Sequence, residues 1–323
     1  MKFGFAVKVL GEPGLKSHDT RRWQNNPHLS VSLAYLRDVF GYLRRQAITM
    51  YRMASDLAPY LTHPDLPQFH DQIEECAAEL EAIGEMARSD GLRLSFHPSQ
   101  YVVLNAADEM VAARSARNVA ALARVLDAMG SGPEAVVVVH VGGIYGDRAA
   151  ACQRFAAGYL RLPAAARRRL VLENDDGRFS VADIAWIHRE TGIRLVFDHL
   201  HFCNHNPQGM DAVEALATCL DTWPADVRPK VHFSSPRTAM HVVERARADS
   251  GGIERKLRQP RSTQHADFID PFAFITFVRA ARVAHLRDFD VILEAKAKDL
   301  ALLRLREDLP RLAPDLGPIL DET

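Results

Sequence analysis

Eight short apolar runs recur along the chain, and each is followed by a longer stretch in which apolar residues return at helical spacing. The runs are apolar on both faces, which is typical of parallel β-strands covered by helices. They begin at Phe3, Ile48, Leu92, Ala135, Arg169, Ile193, Pro229 and Phe289. The pattern therefore predicts eight parallel strands.

The stretches between these runs predict helices. Ile73, Leu80 and Ile83, for example, repeat at helical spacing until Gly91 ends the segment. The same periodicity predicts helices over residues 30–46, 67–90, 108–129, 147–162, 180–191, 210–220, 271–286 and 297–309. Eight strands that each precede a helix predict an α/β fold, the (β/α)8 TIM barrel. A doubly wound open sheet is the alternative, but no glycine-rich phosphate loop follows the first run.

The chain carries no linker rich in Pro, Gly or Ser, so we expect one domain over residues 1–323. Two rim loops, at about 10–29 and 234–270, are longer than ordinary strand–helix connections and are candidate functional loops. Around residues 244–258 we expect a solvated helical insertion. The surrounding segment 237–261 combines three acidic residues (Glu244, Asp249, Glu254) with seven basic ones, which are Arg237, Arg245, Arg247, Arg255, Lys256, Arg258 and Arg261.

Composition narrows the function classes. Forty basic against forty-one acidic residues argue against a basic coat protein for nucleic acid, but not against a nucleic-acid enzyme, whose relevant field is local. The four cysteines show no CxxC spacing, so neither a disulfide framework nor a thiolate zinc site is indicated. No secretory signal and no apolar stretch of roughly 18 residues is found, so we expect a cytoplasmic protein without a membrane partner.

Fourteen histidines, against seven tyrosines, direct attention to metal ligands. In a TIM barrel the chemistry lies at the carboxyl ends of the strands. Ligand-type side chains occur at or near these predicted ends, or in the loops that follow them: His63, His97, His140, Glu173, Asp198, His201, Lys230, His232, His265 and Glu294. One histidine alone is more often structural, but core packing does not explain the joint pattern.

Burying so many ionisable groups together would cost more than the fold can supply, and divalent cations remove that conflict. The ligand count suits two or three ions. Lys230 and His232 are two positions apart on one strand and so face the same way. A lysine among cations must be neutral or modified, and carboxylation of Lys230 would turn it into a bridging anion.

Six motifs carry a family resemblance: SFHPSQYVVLN, HVGGIYGD, LVLENDD, VFDHLHFCNHNP, RPKVHFSSP and LEAKAKD. Together they resemble the UV damage endonucleases, barrel enzymes of the wider group that includes endonuclease IV and xylose isomerase. The resemblance runs from about the first strand to the C-terminal helix. It implies up to three metal ions, manganese in that family, held by the residues named above, with Glu173, Lys230 and His232 central to catalysis. Affinity alone would favour zinc over manganese.

The resemblance also implies a substrate: damaged double-stranded DNA, nicked immediately 5′ to pyrimidine dimers with a 3′-hydroxyl left behind. Gln100 and Tyr101 match a pair that is pushed into the duplex opposite the lesion. Phe5 stands where the family has a tyrosine, and it and Lys8 are expected to contact DNA, as is Arg237 on the basic rim. No obligate protein partner is indicated.

Three other functions stay open at this stage. A sugar isomerase or epimerase on the same barrel would also use His, Asp and Glu at strand ends, with a closed pocket and no exposed wedge. An abasic-site endonuclease would share the metal cluster and would differ in the residues that enter the duplex at the damaged site. A non-catalytic lesion-binding protein would have no use for a metal-activated water.

Overall fold

The computed structural model describes residues 1–246 and 252–317, within which the chain forms a closed barrel. The strands are β1 Phe3–Ala6, β2 Met50–Arg52, β3 Arg93–Phe96, β4 Val136–His140, β5 Leu170–Glu173, β6 Arg194–Asp198, β7 Lys230–Phe233, β8 His241–Ala246, β9 Ile253–Arg258 and β10 Asp290–Leu293. The parallel barrel closes in the order β1-β10-β7-β6-β5-β4-β3-β2, and β8 and β9 form a separate antiparallel hairpin. The predicted TIM barrel is confirmed.

Helices surround the barrel. They are α1 Leu29–Arg45, α2 Gln72–Glu75, α3 Ala77–Ser89, α4 Glu109–Ala128, α5 Arg148–Leu160, α6 Ala164–Arg169, α7 Val181–Thr191, α8 His199–Asn204, α9 Ala212–Leu220, α10 Pro271–Val283 and α11 Lys298–Leu312. The eight predicted helices correspond to α1, α3, α4, α5, α7, α9, α10 and α11. The sequence did not predict α6 and α8, because helices of six residues are too short for a periodic signal, and it did not separate α2 from α3 within the predicted segment 67–90.

Side-chain caps fix where several helices begin after the loops that follow the carboxyl ends of the barrel strands. Asp108 accepts hydrogen bonds from the first turn of α4, and Asp270 does the same for α10. Ser180 and Asp183 form a reciprocal capping box at the start of α7. That helix ends at Gly192, whose φ of 72° lies in the left-handed region that glycine adopts without strain.

Strand β4 illustrates how the barrel core is divided. Val137 and Val139 belong to the large core that includes the surrounding helices, whereas Val136 and Val138 belong to a smaller cluster with Trp223. Successive side chains of a strand point to opposite faces, so both faces of β4 are buried. This explains the unbroken apolar run in the sequence.

The long rim segments differ from one another. Residues 10–29 contain one 3-10 turn, Trp23–Asn25, before α1 begins. The expected helical insertion around 244–258 is wrong, since β8 and β9 pair there as an antiparallel hairpin. Arg247 and Asp249 lie outside the described residues. In the ranges that are described, no helix has the length and apolar character needed to cross a membrane.

Candidate metal centre

Strand register brings polar side chains to one end of the barrel. His140 at the end of β4 pairs with Glu173 at the end of β5. Asp198 at the end of β6 pairs in the same way with His232 on β7. Because the eight barrel strands are parallel, these residues, which are far apart in sequence, meet at the carboxyl mouth.

Glu173 lies at the centre of this arrangement and is fully buried. Its Oε1 lies 2.8 Å from Nδ1 of His232, and its Oε2 lies 2.9 Å from Nε2 of His97. His140 and His201 approach the same carboxylate at 3.6 and 3.7 Å. Burial alone would raise the pKa of Glu173, but the imidazoles of His232 and His140 outweigh burial and hold that pKa well below its ordinary value.

Three overlapping sets of ligand atoms occur in the described part of the chain, and within each set the atoms lie no more than 4.8 Å apart. The first set is His97, His232 and Glu294, the second is His97, His140 and Glu173, and the third is Glu173, Asp198 and His201. His97 and Glu173 each belong to two sets. The geometry therefore suits a cluster of cations that share ligands rather than one isolated ion.

Buried atoms without a partner support the fit to metal. Oδ2 of Asp198, Nε2 of His232 and Nδ1 of His140 are buried and make no hydrogen bond within the protein. Burial, together with the carboxylates of Glu173 and Glu294, raises the pKa of Asp198 well above its ordinary value despite the nearby His201. A divalent cation would satisfy these atoms and favour the ionised carboxylate.

Asn174, which the sequence analysis missed, positions Asp198. Its side-chain oxygen accepts from the Asp198 backbone N–H at 2.9 Å, and its amide nitrogen donates to the Asp198 carbonyl at 3.0 Å. The backbone N–H of His201 donates to Oδ1 of Asp198 at 2.8 Å. The only signal in the sequence was a polar residue directly after the Glu173 strand end.

An arginine side chain, which the sequence did not indicate as part of the site, holds Glu294 in place. The guanidinium of Arg52 on β2 donates to Oε1 of Glu294. Nδ1 of His265 lies 3.8 Å from Oε2, and Nδ1 of His232 lies 3.6 Å from Oε1. Burial would raise the pKa of Glu294, but Arg52 and His232 lower it far below its ordinary value.

Lys230 lies deeper in the barrel than the other predicted ligands, as the first residue of β7. It is 1% exposed, and its Nζ donates to Oγ of Ser95 at 2.7 Å. Burial, reinforced by Arg52 and Arg93, lowers its pKa well below the ordinary value. This environment therefore favours the neutral amine, which is the form that can react with carbon dioxide.

Three sequence-predicted residues lie apart from the cluster. His63 is exposed and belongs to none of the three ligand sets; its carbonyl accepts from Nε2 of His70 at 2.8 Å. Phe5 is 0% exposed and packs edge-to-face on Tyr51, so its ring faces the core and not the rim where the contact with DNA is expected. Lys8 is exposed in the loop after β1.

Gln100 and Tyr101 follow β3 on the rim, and Tyr101 is 79% exposed. Gln100 lines a cavity of about 570 Å³ that His97 and His140 also line, so this loop adjoins the metal ligands. Arg237 is half-buried, and its Nη2 lies 3.4 Å from Asp267.

Known proteins share both the sequence and the fold. A UV DNA damage endonuclease from Bacillus velezensis is 32% identical over 285 residues, which cover 87% of this chain and 82% of the relative. One from Bacillus mycoides is 33% identical over 269 residues, 83% of this chain and 77% of the relative. The crystal structure of SacUVDE superposes with a TM-score of 0.77 at 27% identity, covering 97% of this chain and 99% of that one.

More distant structures share the barrel alone. A D-tagatose 3-epimerase-like protein has a TM-score of 0.58 at 13% identity, covering 98% of this chain and 99% of that one. The model of the family described as UV-endonuclease UvdE matches residues 24–315. This match spans most of the barrel and every ligand of the three sets, so the chain belongs to the UV-endonuclease UvdE family.

Proposed function

We propose that this protein is a metal-dependent DNA repair endonuclease that nicks the backbone immediately 5′ to UV photoproducts and leaves a 3′-hydroxyl. The observation that carries the proposal is the buried carboxylate of Glu173 among four imidazoles, beside the partnerless buried atoms of Asp198 and His232. In a member of the UvdE family, such a centre is suited to phosphodiester hydrolysis.

The proposed cofactors are two or three divalent cations, manganese first and zinc as the alternative. Besides the three ligand sets, His265 and Lys230 are proposed ligands, and His63 is a further one that would have to approach from the rim. When bound, such cations would stabilise the charge that develops on the phosphate. Glu173, Lys230 and His232 are the proposed centre of catalysis.

The chain's own residues would hold the ligands in place. Glu173 orients the rings of His97 and His232 through its two oxygens. Asn174 fixes the backbone of Asp198, and Arg52 fixes the carboxylate of Glu294. This preorganisation means that the site need not rearrange when charge develops on the substrate.

Carboxylation of Lys230 is part of the proposal. The neutral amine would form an N–C bond with carbon dioxide and release one proton, which leaves a carbamate anion in place of the amine. The proposal is supported by the burial of Lys230 and by the lowered pKa of its amine. Intact mass measured under native conditions, with and without bicarbonate, should differ by the mass of one carbon dioxide; an identical mass in both would contradict carboxylation.

The DNA contacts are proposed at the rim. Tyr101 would enter the duplex opposite the lesion and replace part of the lost base stacking, with Gln100 as its hydrogen-bonding neighbour. Lys8 and Arg237 would contact backbone phosphates, which position a duplex without reading its sequence. The proposed compartment is the cytoplasm, in keeping with four free cysteines.

One assay separates this function from its alternatives. The protein is incubated with manganese and with UV-irradiated, abasic or undamaged supercoiled plasmid, and nicking is followed. We expect nicking of the irradiated plasmid well above the undamaged one. Equal nicking of those two would overturn the proposal, and nicking of the abasic plasmid alone would favour an abasic-site endonuclease.

The proposed insertion of Tyr101 into the duplex has its own test. Tyr101→Ala should weaken discrimination between damaged and undamaged duplex by about 1–3 kcal/mol, the usual worth of a base–aromatic stack. Tyr101→Phe keeps the ring and should retain most of the discrimination. Binding titrations with both duplexes measure the difference, and unchanged discrimination in Tyr101→Ala would remove the wedge role.

A further inference from the structure

The hairpin of β8 and β9 starts and ends beside the metal centre. At its base, Pro236 and His265 form an antiparallel bridge, and the N–H of Arg237 donates to the Gln264 carbonyl at 2.6 Å. His265 in turn lies 3.8 Å from Glu294. The hairpin is therefore anchored to the rim of the site, while the barrel itself closes without it.

Apolar side chains on this hairpin are exposed. Val242 lies opposite Leu257 in the antiparallel register, and the two side chains are 57% and 62% exposed. Ile253, four positions before Leu257 and so on the same face, is 65% exposed. A two-stranded hairpin is marginally stable by itself, and an exposed apolar face commonly marks a binding surface.

Cations on the hairpin indicate what binds there. Strand β9 carries Arg255, Lys256 and Arg258, all exposed, and Arg261 follows them. Arg255 pairs with Glu244 at 2.8 Å and Lys256 with Glu254 at 3.0 Å. Exposed ion pairs of this kind contribute little free energy, so both cations can exchange their partners for phosphates. The excess of positive charge complements a polyanion.

We propose that the hairpin is a DNA-binding arm that lies in the major groove of the duplex flanking the lesion. This rests on the proposed function, because a damage-specific endonuclease needs a grip on the undamaged duplex. The major groove admits a two-stranded β-ribbon and presents thymine methyl groups, which suit the face of Val242, Ile253 and Leu257. The arginines and Lys256 reach the flanking phosphates.

The dimensions give the arm a measurable reach. Six residues per strand, at about 3.4 Å each, extend roughly 20 Å, and B-DNA rises about 3.4 Å per base pair. The arm therefore spans about six base pairs on one side of the site. Duplexes with shorter flanks should lose its contacts.

The test uses the full chain and lesion-containing duplexes with three or ten base pairs on either side of the lesion. The native protein should bind the long duplex at least about tenfold more tightly than the short one. R255S/K256S/R258S should remove this preference and reduce the slope of log affinity against log salt by about 2–3, since each phosphate contact contributes about 0.9. The turnover rate on saturating short duplex should stay within twofold.

V242S/I253S/L257S should weaken the preference while the cations keep their phosphate contacts and the salt slope stays close to the native one. The matched control R161S/R168S/R189S removes three exposed arginines from the far ends of outer helices and should leave binding unchanged. If both hairpin variants keep the native length preference and salt slope, the proposal that the hairpin binds DNA is overturned. A native dimer that V242S/I253S/L257S converts to a monomer in sedimentation would assign this face to a second copy and also overturn the proposal.

Failure of the arm can be told apart from failure of the proposed function. If the native protein nicks irradiated plasmid and the hairpin variants bind normally, only the arm is excluded. If the native protein binds long duplexes through the hairpin but does not nick irradiated plasmid, the arm stands and the endonuclease function falls.

Discussion

The two ends of the barrel interior both bury ionisable groups, but they do so differently. At the amino end, Arg93 and Asp290 form an ion pair at 2.8 Å and are 3% and 2% exposed. Arg93 also donates to the carbonyl of Glu134, and the backbone N–H of Lys2 donates to Asp290 at 2.9 Å. At the carboxyl end, Glu173, Asp198 and His232 are fully buried, but Oδ2 of Asp198 and Nε2 of His232 have no hydrogen-bond partner.

The difference teaches how to separate a structural ion pair from a metal site. At the amino end, Arg93 and Asp290 balance each other's charge within the protein, although Nη2 of Arg93 makes no hydrogen bond. The carboxyl end instead collects carboxylates and imidazoles, which are acceptors and cation ligands more than donors. A buried charge without a partner is costly, so this end calls for cations from outside. Four predictions test the contrast.

Glu173→Gln should have the largest effect. The amide keeps the size of the side chain but removes the charge that the imidazoles surround, so we expect nicking to fall by at least about 10³-fold. Unfolding in the presence of a chelator should change little. Nicking rates and urea denaturation provide the measurements, with the exposed Glu190→Gln as control. A loss below tenfold would remove Glu173 from the centre.

Arg93→Met should have the opposite effect, with a large loss of stability and a small loss of nicking. It removes the 2.8 Å partner of the buried Asp290 and leaves only the guanidinium of Arg228 at 3.7 Å, so the free energy of unfolding should fall by about 3 kcal/mol, the lower end of the range for a broken buried pair. Nicking per folded molecule should fall far less than in Glu173→Gln, because Arg93 acts on Lys230 only through its charge and neither Arg93 nor Asp290 belongs to the three ligand sets. R93M/D290N removes both buried charges of the pair and should lose less stability. A selective loss of nicking in Arg93→Met would break the comparison between the two ends.

The metal-free protein should lose stability as pH rises, through His201. Burial disfavours its charged imidazole, but Asp198, Glu173 and Glu294 outweigh burial and raise the pKa to about 9. The ordinary value is 6.5, so this contribution is fully present below about pH 6.5 and is lost as the pH rises through about 9. It is on the order of 3 kcal/mol.

Urea denaturation in a chelator between pH 6 and 9.5 measures this loss. His201→Gln should flatten the dependence, whereas His188→Gln, in the last turn of α7, should leave it as in the native protein. An equally steep dependence in His201→Gln would assign the effect to other groups.

Added manganese should stabilise the carboxyl end alone. At a hundred times its dissociation constant, an ion that binds only the folded state adds about 2.7 kcal/mol to the free energy of unfolding. The native protein and Arg93→Met should gain similar amounts, and Glu173→Gln should gain much less. Thermal unfolding with and without manganese makes the measurement. Equal gains in all three proteins would place the ion elsewhere.

The barrel could be predicted because its signals are local. Each strand is buried on both faces and each long helix repeats its apolar positions, so the order of elements is written in the hydrophobic pattern. The hairpin could not be predicted in this way. In Ile253–Arg258 three charged residues separate the two apolar ones, so the segment lacks the two-residue period of a half-buried strand, and all of its residues but Glu254 are exposed.

Most of the candidate site could also be predicted, since parallel strands place their carboxyl ends together. His97, His140, Glu173, Asp198 and His232 needed only that rule. Further residues needed the folded geometry: Phe5 turned inward to Tyr51, His63 stayed on the rim, and Arg52 reached Glu294. Side-chain direction at a strand end and the path of a loop depend on packing with distant elements.

The sequence by itself determined the alternation of strands and helices and the kinds of side chain at the strand ends. These follow from hydrophobic burial and from the two-residue period of a strand. The tertiary structure decided which imidazole meets which carboxylate, which ligands are shared, and that Lys230 lies in surroundings that lower the pKa of its amine. Those properties depend on distances between residues such as His97 and Glu173, which are 76 positions apart, and only barrel closure and register set such distances.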